Sequence, residues 1–496
     1  MESQDIKPRQ PQDEHIVENK ELTIWEALIP VIALIIMLFF NVFYAFGDDA
    51  LSGSNQFILL LGGAVAAIVG YFNKVKFSQM MDEVAENVKS TSGALLILLM
   101  VGALAGTWLI SGIIPTMIYY GMQILSPKIF LVSTVIICSI ISIATGSSWT
   151  TSATVGIALI GIANALGISV GMTAGAVISG AYFGDKLSPM SDTTNLAPAM
   201  AGTDLFTHIK YMTLTTIPTY TITLLFFIIL GLTIEPQGVA DTETLLGSIK
   251  QSFTISPWLF VVPIIVIFLI VKKTPPLIAL LAGTLLGGVA ALIFQPNIVA
   301  TIGGSQDLTF LSAYKGIMNA ITVDTSVATD NEILADLFSS GGMKGMLGTI
   351  WLIVCAMVFG GVMDAIGALA RISKALLKLF HTTFGLFAST VASCLALNVT
   401  ASDQYLAIVV PGKMYAKAFK DKGLAPENLS RTLEDSGTVT SVLVPWNTCG
   451  AYQSGVLGVD TLHYAGYAIF NWLSPFMTLL FAGLRIKIKE LTTSKK

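Results

Sequence analysis

Long apolar runs separated by short polar segments dominate the chain. Continuous runs lie near residues 24–45, 55–72, 92–111, 207–234, 257–273, 275–295, 346–366 and 461–484. A helix needs about 20 apolar residues to cross about 30 Å of hydrocarbon. The apolar positions are continuous rather than alternating, which predicts membrane-spanning helices and not a membrane β-barrel.

Other apolar segments are interrupted by Gly, Pro and small polar residues. They lie near 129–166, 171–200, 383–420 and 430–458. Irregular backbone is tolerated at membrane depth only where protein buries it or where it lines an aqueous cavity. We therefore predict an all-α polytopic membrane protein with re-entrant hairpins and broken helices.

Composition supports this class. Of 496 residues, 54% are hydrophobic and 12% are charged, against about 25% charged in soluble domains. Cys138, Cys355, Cys394 and Cys449 lie in apolar surroundings without metal-ligand spacing, which favours packed free thiols. No cluster mixes Lys and Arg with aromatic residues, so nucleic acid is not an expected partner.

The two halves of the chain resemble each other in four places, in the same order. The matches align Pro30 with Pro263, "LLLGGAVAAIVG" after Leu59 with "LLAGTLLGGVAALI" after Leu280, Thr145 with Thr400 and Asp185 with Asp435. The offsets for Pro30, Thr145 and Asp185 drift by about twenty residues, which suggests loop insertions. Repetition in order predicts two related units.

Loop charges predict that the two units are inverted. Loop 73–91 carries three lysines whereas its counterpart 296–345 is acidic, and 163–172 is uncharged whereas its counterpart carries Lys413, Lys417, Lys420 and Lys422. Since cytoplasmic loops are enriched in Lys and Arg, equivalent loops should lie on opposite faces. We predict a soluble tail over 1–22, repeats over 23–235 and 257–484, a linker over 236–256 and a cytoplasmic tail over 485–496.

The first candidate site is a polar tip between the arms 129–143 and 154–166. Oxygen-bearing side chains concentrate there and at the matching stretch "NVTASDQY". Hydroxyls, carboxylates and freed carbonyls can replace the water around a Na⁺ ion, whereas helix N-termini favour anions. Hydroxyls that bond within their own helix are the structural alternative. The candidate ion- or proton-binding residues are Thr145, Ser147, Ser148, Thr400, Ser402 and Asp403.

The second candidate site is a pair of acidic helix breaks, "GDKLSPMSDTTNLAP" and "LEDSGTVTSVLVPWNT". A charge at the membrane centre costs roughly 2.5–3.5 kcal/mol, so charged residues there mark function. A carboxylate that must lose its proton to hold Na⁺ couples the two ions by competition. A solvated loop is the alternative, and Lys186 is expected to pair with Asp185 or Asp192. The candidates here are Asp185, Asp192, Asn195, Asp435, Ser436 and Thr438.

These stretches resemble the NhaC family of Na⁺/H⁺ antiporters, within the ion transporter superfamily. The resemblance covers about residues 24–484 and is carried by "ATGSSWTTSATVGIALIGIA", "GAYFGDKLSPMSDTTNLAPAMAGTDLFTHI" and "LEDSGTVTSVLVPWNTCGAYQSGVLGV". It implies an inverted-repeat fold, a homodimer with an elevator-like motion, and exchange of Na⁺ for H⁺ in a bacterial-type inner membrane. Related members exchange malate for lactate or carry amino acids.

The expected function is therefore Na⁺/H⁺ antiport by alternating access. The alternative is Na⁺- or H⁺-coupled exchange of an organic solute such as malate, lactate or an amino acid. Without a Walker motif or a nucleophile–base pair in the sequence, neither ATP-driven transport nor an enzyme is expected. No cofactor is expected beyond the transported Na⁺ and H⁺.

Overall fold

The computed structural model describes residues 22–46, 50, 53–233, 242–330, 332–378 and 382–491. Most of the predicted soluble tail lies outside these ranges, as do the start of the predicted linker and the end of the predicted C-terminal tail. The boundaries proposed for the repeats remain predictions.

The first half is helical throughout its described part. Its helices are α1 (Ile24–Phe40), α2 (Ser54–Phe72), α3 (Phe77–Ile110), α4 (Ile113–Ile124), α5 (Pro127–Thr145), α6 (Ser148–Thr151), α7 (Ile157–Ala165), α8 (Val170–Leu187), α9 (Asp192–Ala201) and α10 (Leu205–Thr233). Two π-helical turns, Asn41–Phe46 and Ser152–Gly156, extend α1 and join α6 to α7.

The second half contains the remaining helices and one small antiparallel sheet. The helices are α11 (Thr242–Ser252), α12 (Val261–Val271), α13 (Pro276–Phe294), α14 (Pro296–Ile302), α15 (Phe310–Thr322), α16 (Glu332–Leu337), α17 (Gly342–Gly345), α18 (Leu347–Ala365), α19 (Ala368–Lys378), α20 (Thr383–Thr400), α21 (Leu406–Asp421), α22 (Pro426–Leu433), α23 (Thr448–Leu457), α24 (Thr461–Ala465) and α25 (Ile469–Gly483). The strands β1 (Thr325–Ser326) and β2 (Ser339–Ser340) pair within the acidic segment 296–345.

Eight helices in the described part of the chain are long and apolar enough to span a membrane. They confirm the predicted class and six of the predicted spans, and they add α5 and α20. The predicted span at 257–273 belongs to a pair of helical segments bent by 81°. The prediction of one continuous helix over 461–484 is wrong, because the chain breaks between α24 and α25, where Tyr467 packs closely on Gly175 of α8.

The two halves correspond in register from the cap of α5 onward. Equivalent residues stand 256 positions apart at the caps of α5 and α20 (Ser126, Thr382), of α8 and α22 (Ser169, Ala425) and of α9 and α23 (Ser191, Asn447), and at the left-handed glycines that end α9 and α23 (Gly202, Gly458). Caps and left-handed glycines fix where helices begin and end. The same local chemistry therefore produces the same sequence of breaks in both halves.

This register corrects two of the sequence matches. The residue equivalent to Gly146 is Ser402, and both adopt left-handed backbone conformations, with φ of 70° and 58°. The match of Thr145 with Thr400 is therefore one residue out. The match of Asp185 with Asp435 is six residues out, since the register places Ser441 opposite Asp185. The apparent drift in offset arises earlier, where α14 to α16 are inserted between α13 and α17.

Corresponding helices run in opposite directions. Along α8, Gly171 lies against His463 and Gly175 against Tyr467, so α8 runs parallel to the α24–α25 segment. The π-helical turn Glu434–Thr438 continues α22. Asn471 donates to the carbonyl of Val439 at 2.7 Å and Thr478 donates to Asp435, so α25 runs antiparallel to this continuation of α22. Since α8 and α22 are equivalent and antiparallel, the two halves are inverted relative to each other.

Four apolar clusters hold the described helices together. One packs α1, α2, α3, α13 and α18 through residues such as Leu34, Leu59, Leu104, Leu280 and Phe359, and it also includes Ala407 of α21 and Tyr452 of α23. A second packs α5, α8, α10 and α25 through residues such as Val135, Val177, Phe227 and Phe470, and a third packs α20, α21 and α22 through residues such as Phe387, Tyr415 and Leu433. The helices α1, α2, α3, α13 and α18 therefore form a group of continuous spans against which broken helices pack.

Close packing of α5 on α8 generates a prediction about stability. A Cβ atom at Gly180 would overlap the carbonyl oxygen of Val135, which is backbone and cannot rotate away. We expect Gly180→Ala to destabilise the protein by about 1–3 kcal/mol, seen as a lower melting temperature in detergent. Gly466→Ala is the matched control, because nothing lies within 4 Å of a Cβ there. Equal melting temperatures for the two variants would contradict the packing.

Candidate functional site

The first hairpin tip is a tight turn closed by hydroxyls. Helix α5 ends at Gly146, and Ser147 caps α6 by accepting hydrogen bonds from the Thr150 amide and the Thr150 hydroxyl, both at 3.1 Å. The returning segment runs antiparallel to α8, because Ser148 contacts Asp185 and Gly156 packs on Val177. The predicted polar tip on a hairpin is therefore present.

The second tip follows α20 and is built in the same way. Ser402 adopts the left-handed conformation, and its carbonyl accepts a hydrogen bond from the Thr448 amide at 3.0 Å. Asp403 accepts from the Leu406 amide at 3.0 Å, which helps to start α21. Its carboxylate is thus held at the first turn of the returning helix.

Each helix break is supported by an asparagine amide. In the first, Asn195 donates to the carbonyls of Pro189 and Ser191 at 3.0 and 2.7 Å. In the second, Asn447 donates to the carbonyl of Asn398 at 3.0 Å. The bonds to Pro189 and Asn398 satisfy carbonyls that have no helical partner at the break, and the Ser191 carbonyl also accepts from the Asn195 amide at 3.2 Å.

The Asp185 carboxylate joins the first break to the first tip. One of its oxygens accepts from the Ser148 amide at 3.1 Å and from the Ser148 hydroxyl at 2.6 Å. In the second half, Ser441 occupies the equivalent position and contacts Gln404 at 3.3 Å. The geometry therefore repeats, but the carboxylate is present in the first half alone.

A cavity of about 540 Å³ lies where the two tips and the two breaks converge. It brings together Thr145, Ser147, Ser148, Asp185, Asp192 and Asp403 from the predicted site residues, with α3 and the α12–α13 connection on the opposite wall. Lys273 stands in that connection and is the one Lys or Arg among the described lining residues. Three carboxylates against one cation favour a cationic ligand.

Asp435 lies apart from this cavity. It forms an ion pair with Lys186 in which both side chains are fully buried, and it accepts hydrogen bonds from Thr215 at 2.8 Å and from Thr478. The prediction that Lys186 pairs with Asp185 or Asp192 is therefore wrong. The reason is the inversion, which crosses α8 against the continuation of α22.

The remaining predicted site residues are not among the described residues that line the cavity. Thr400 and Ser436 donate to carbonyls one turn earlier, as in the alternative interpretation of membrane hydroxyls. Ser402 and Thr438 are buried, and their hydroxyls have no hydrogen-bond partner among the described residues. Asn195 supports the first break and is not among the residues lining the cavity.

Sequence reasoning overlooked several residues that line or border the cavity. Gln404, Tyr405 and Cys449 line it, and the ring of Trp149 stacks on that of Tyr452 with centroids 3.9 Å apart. Thr193, also in the lining, donates to the fully buried Glu434 at 3.1 Å. The constant register of 256 residues was the available signal, because it aligns Gln404 with Ser148 and Cys449 with Thr193.

Comparisons with known proteins agree over most of the chain. Residues 180–484 match the Na⁺/H⁺ antiporter family. The chain is 36% identical to the Na⁺/H⁺ antiporter NhaC of Alkalihalophilus pseudofirmus, over 87% of this chain and 91% of that protein. It is 34% identical to the malate-2H⁺/Na⁺-lactate antiporter of Bacillus subtilis, over 94% of each. It is 31% identical to the arginine/ornithine antiporter ArcD of Halobacterium salinarum, over 98% and 97%.

The buried ion pair generates a second prediction. Asp435→Asn leaves the Lys186 ammonium buried without its counter-charge, which should cost about 3–5 kcal/mol of stability. The double variant Lys186→Met/Asp435→Leu removes both charges and should recover most of that loss. Melting temperatures and the monodisperse fraction in detergent measure both effects.

An exposed ion pair provides the control for this comparison. Lys344 contacts Asp324 at 2.7 Å, and 61% and 66% of the two side chains are exposed. Lys344→Met should therefore change stability by no more than about 1 kcal/mol. If the double variant Lys186→Met/Asp435→Leu is as unstable as Asp435→Asn, the unpaired charge on Lys186 is not the cause of the loss.

Proposed function

Because the chain belongs to the Na⁺/H⁺ antiporter family, we propose that it exchanges Na⁺ for H⁺ across the cell membrane by alternating access. Its eight candidate spans make it a multi-pass membrane protein. We further propose the bacterial inner membrane as its location. Family membership and the charge of the cavity support this function together.

The observation that carries the proposal is the cavity bounded by Asp185, Asp192 and Asp403. Asp185 is 8% exposed and Asp403 is 5% exposed, so both carboxylates are largely removed from water. Asp185 has two fixed donors on one oxygen, from Ser148. A desolvated cation entering the cavity gains carboxylate, hydroxyl and carbonyl oxygens in place of water.

Competition at these carboxylates couples the two ions. A carboxyl group that holds a proton offers a weaker ligand to Na⁺, and a bound Na⁺ disfavours the proton. If one occupant crosses the membrane in each direction, exchange needs no further machinery. We assign Asp185 and Asp192 to this step, with Ser147, Ser148 and Thr145 as neutral oxygen ligands and Asp403 as a third carboxylate.

Other partners follow from the same proposal. Transport by this scheme requires no cofactor besides the Na⁺ and H⁺ that are carried, and no chemical step that would make the protein an enzyme. We also propose a homodimer within the bilayer, in which the group of continuous spans provides the fixed contact.

Exchange of an organic solute is the second candidate. A cavity of about 540 Å³ exceeds the size of a bare ion and falls within the range of small-molecule pockets. Two of the relatives are named for organic substrates. However, Lys186 is buried against Asp435 and the Asn447 amide is bonded to Asn398. This ammonium and this amide are therefore already engaged and cannot bind the carboxylate of a substrate, which favours the cation.

Transport assays on purified protein in liposomes test the proposal. A Na⁺ gradient should drive protons in the opposite direction, and the apparent Na⁺ affinity should fall as pH falls, since protons compete for the same carboxylates. Asp185→Asn should abolish the exchange. Asp421→Asn, at the end of α21 and exposed, is the control and should behave as the unaltered protein.

Labelled malate, lactate, arginine and ornithine distinguish the two candidates in the same liposomes. Uptake of one of them that depends on Na⁺ or H⁺ would favour the organic solute. Na⁺-driven proton movement that persists in Asp185→Asn and Asp192→Asn would overturn the assigned roles.

A further inference from the structure

A second cavity, of about 310 Å³, lies between α18 and α23. One wall is formed by Gly345, Gly348, Thr349 and Leu352, and the facing wall includes Ala451 and Ser454. None of the described residues that carry the carboxylates of the first cavity lines it. It is therefore a separate space on the other side of α23.

The two cavities lie at opposite ends of the spans. Lys273 of the first cavity belongs to the lysine-bearing turn after α12, and the segment after α25 carries Arg485, Lys487 and Lys489. The positive-inside rule places both of these in the cytoplasm. Asp460 of the second cavity precedes α24 and α25, so it lies at the end of those helices away from the C-terminal segment. The second cavity therefore faces outward.

The inverted register relates the two cavities. On α3 the first is lined by Ser90, Thr91, Gly93, Ala94 and Ile97. The second is lined by Gly345, Gly348, Thr349 and Leu352, each 255 positions after one of these residues. The left-handed glycines that follow α3 and α18, Gly112 and Gly367, are also 255 positions apart, so the two stretches are equivalent. Equivalent helix faces thus border the two cavities: the face at 90–97 borders the cytoplasmic cavity and the face at 345–352 borders the outer cavity.

The two cavities differ in the wall that lies opposite this helix face. The face of α3 looks onto the first tip and Asp185, whereas the face of α18 looks onto the far end of α23. The near end of α23, at Thr448 and Cys449, lines the first cavity. The two cavities therefore border opposite ends of α23, and Tyr452, whose ring stacks on that of Trp149 in the lining of the first cavity, lies between these ends.

We propose that the second cavity is the extracellular access site for the transported cation, separated from the ion-binding carboxylates in this structure. Inverted repeats alternate access by moving one group of helices against the other. By the register above, the face at 345–352 borders the carboxylates when the protein opens outward, as the face at 90–97 does here. This inference rests on the proposed function.

The lining of the second cavity suits a small cation. Asp460 is the one charged side chain among the described lining residues, and Gln56, Ser454 and Thr461 supply neutral oxygens. An acidic residue at the entrance of a pathway raises the local concentration of cations. Asp460 is thus assigned to attracting external Na⁺, and Thr349 to the wall along which it passes.

Thiol modification from each side of the membrane tests the pathway. In a background with Cys138, Cys355, Cys394 and Cys449 replaced by alanine, we introduce Thr349→Cys or its counterpart Ala94→Cys. A membrane-impermeant methanethiosulfonate carrying a quaternary ammonium should modify Thr349→Cys in right-side-out vesicles and Ala94→Cys in inside-out vesicles. Each modification should stop Na⁺-driven proton movement, because it fills one access route.

Trp351→Cys is the control on the same helix. Trp351 is 49% exposed and does not line the cavity, so its modification should leave transport intact. External reagent that fails to block Thr349→Cys, in vesicles that still exchange Na⁺ for H⁺, would overturn the pathway. If neither the native protein nor the cysteine-free variant exchanges Na⁺ for H⁺, the proposed function itself would be overturned.

Asp460 has a side-specific test. Asp460→Asn should weaken the apparent affinity for external Na⁺ by about three- to tenfold and leave the affinity for internal Na⁺ unchanged. Asp204→Asn is the matched control, since Asp204 is the equivalent residue at the cytoplasmic end of α9. It should not alter the external affinity. If Asp460→Asn weakens the affinity for internal Na⁺ as much as that for external Na⁺, the assignment of Asp460 to the outer entrance would be contradicted.

Discussion

Backbone amides and carbonyls freed at membrane depth must find partners within the protein, and this constraint organises the structure. Every helix break leaves such groups without helical partners, and unsatisfied groups in hydrocarbon cost several kcal/mol each. The protein meets the demand by bringing tips and breaks together. Ser402 accepts from the Thr448 amide, and Trp446 and Asn447 donate to carbonyls at the end of α20. Polar oxygens that could bind an ion are therefore concentrated at the tips and breaks, since the backbone groups freed there need hydrogen-bond partners.

Inversion extends this constraint from one half to the other. Two antiparallel copies of the same broken helices place their breaks at the same depth, so a tip from each half reaches a common cavity. The copies have diverged where they meet. Asp185 occupies the position that Ser441 holds in the second half, while Asp435 is neutralised by Lys186 across the interface. The same position thus carries a carboxylate facing the cavity in the first half and a neutral hydroxyl in the second, while the buried ion pair joins two residues that are not equivalent.

The sequence predicts the class of fold well, because length and continuity of apolar runs determine which segments can span. The polar tips at Thr145 and Thr400 were also predictable, since clustered hydroxyls between two apolar arms are typical of a re-entrant hairpin. The exact register was not, because short motifs such as "FGDKLS" and "LEDSGT" resemble each other in composition while standing six residues out of register. Helix caps carry the register, and a cap is recognisable only once the ends of the helix are known.

The partner of Lys186 shows what the chain alone could not reveal. Within its own segment the lysine has Asp185 and Asp192 as neighbours, and sequence proximity favours them. Crossing of the inverted halves instead brings Asp435 to it from 249 positions away. A fully buried lysine needs a carboxylate that is not otherwise occupied, and Asp185 is held by Ser148 at the first tip. Because Asp435 engages Lys186, this ammonium does not neutralise Asp185 or Asp192, so the buried pair preserves the negative charge that the proposed binding of a cation requires.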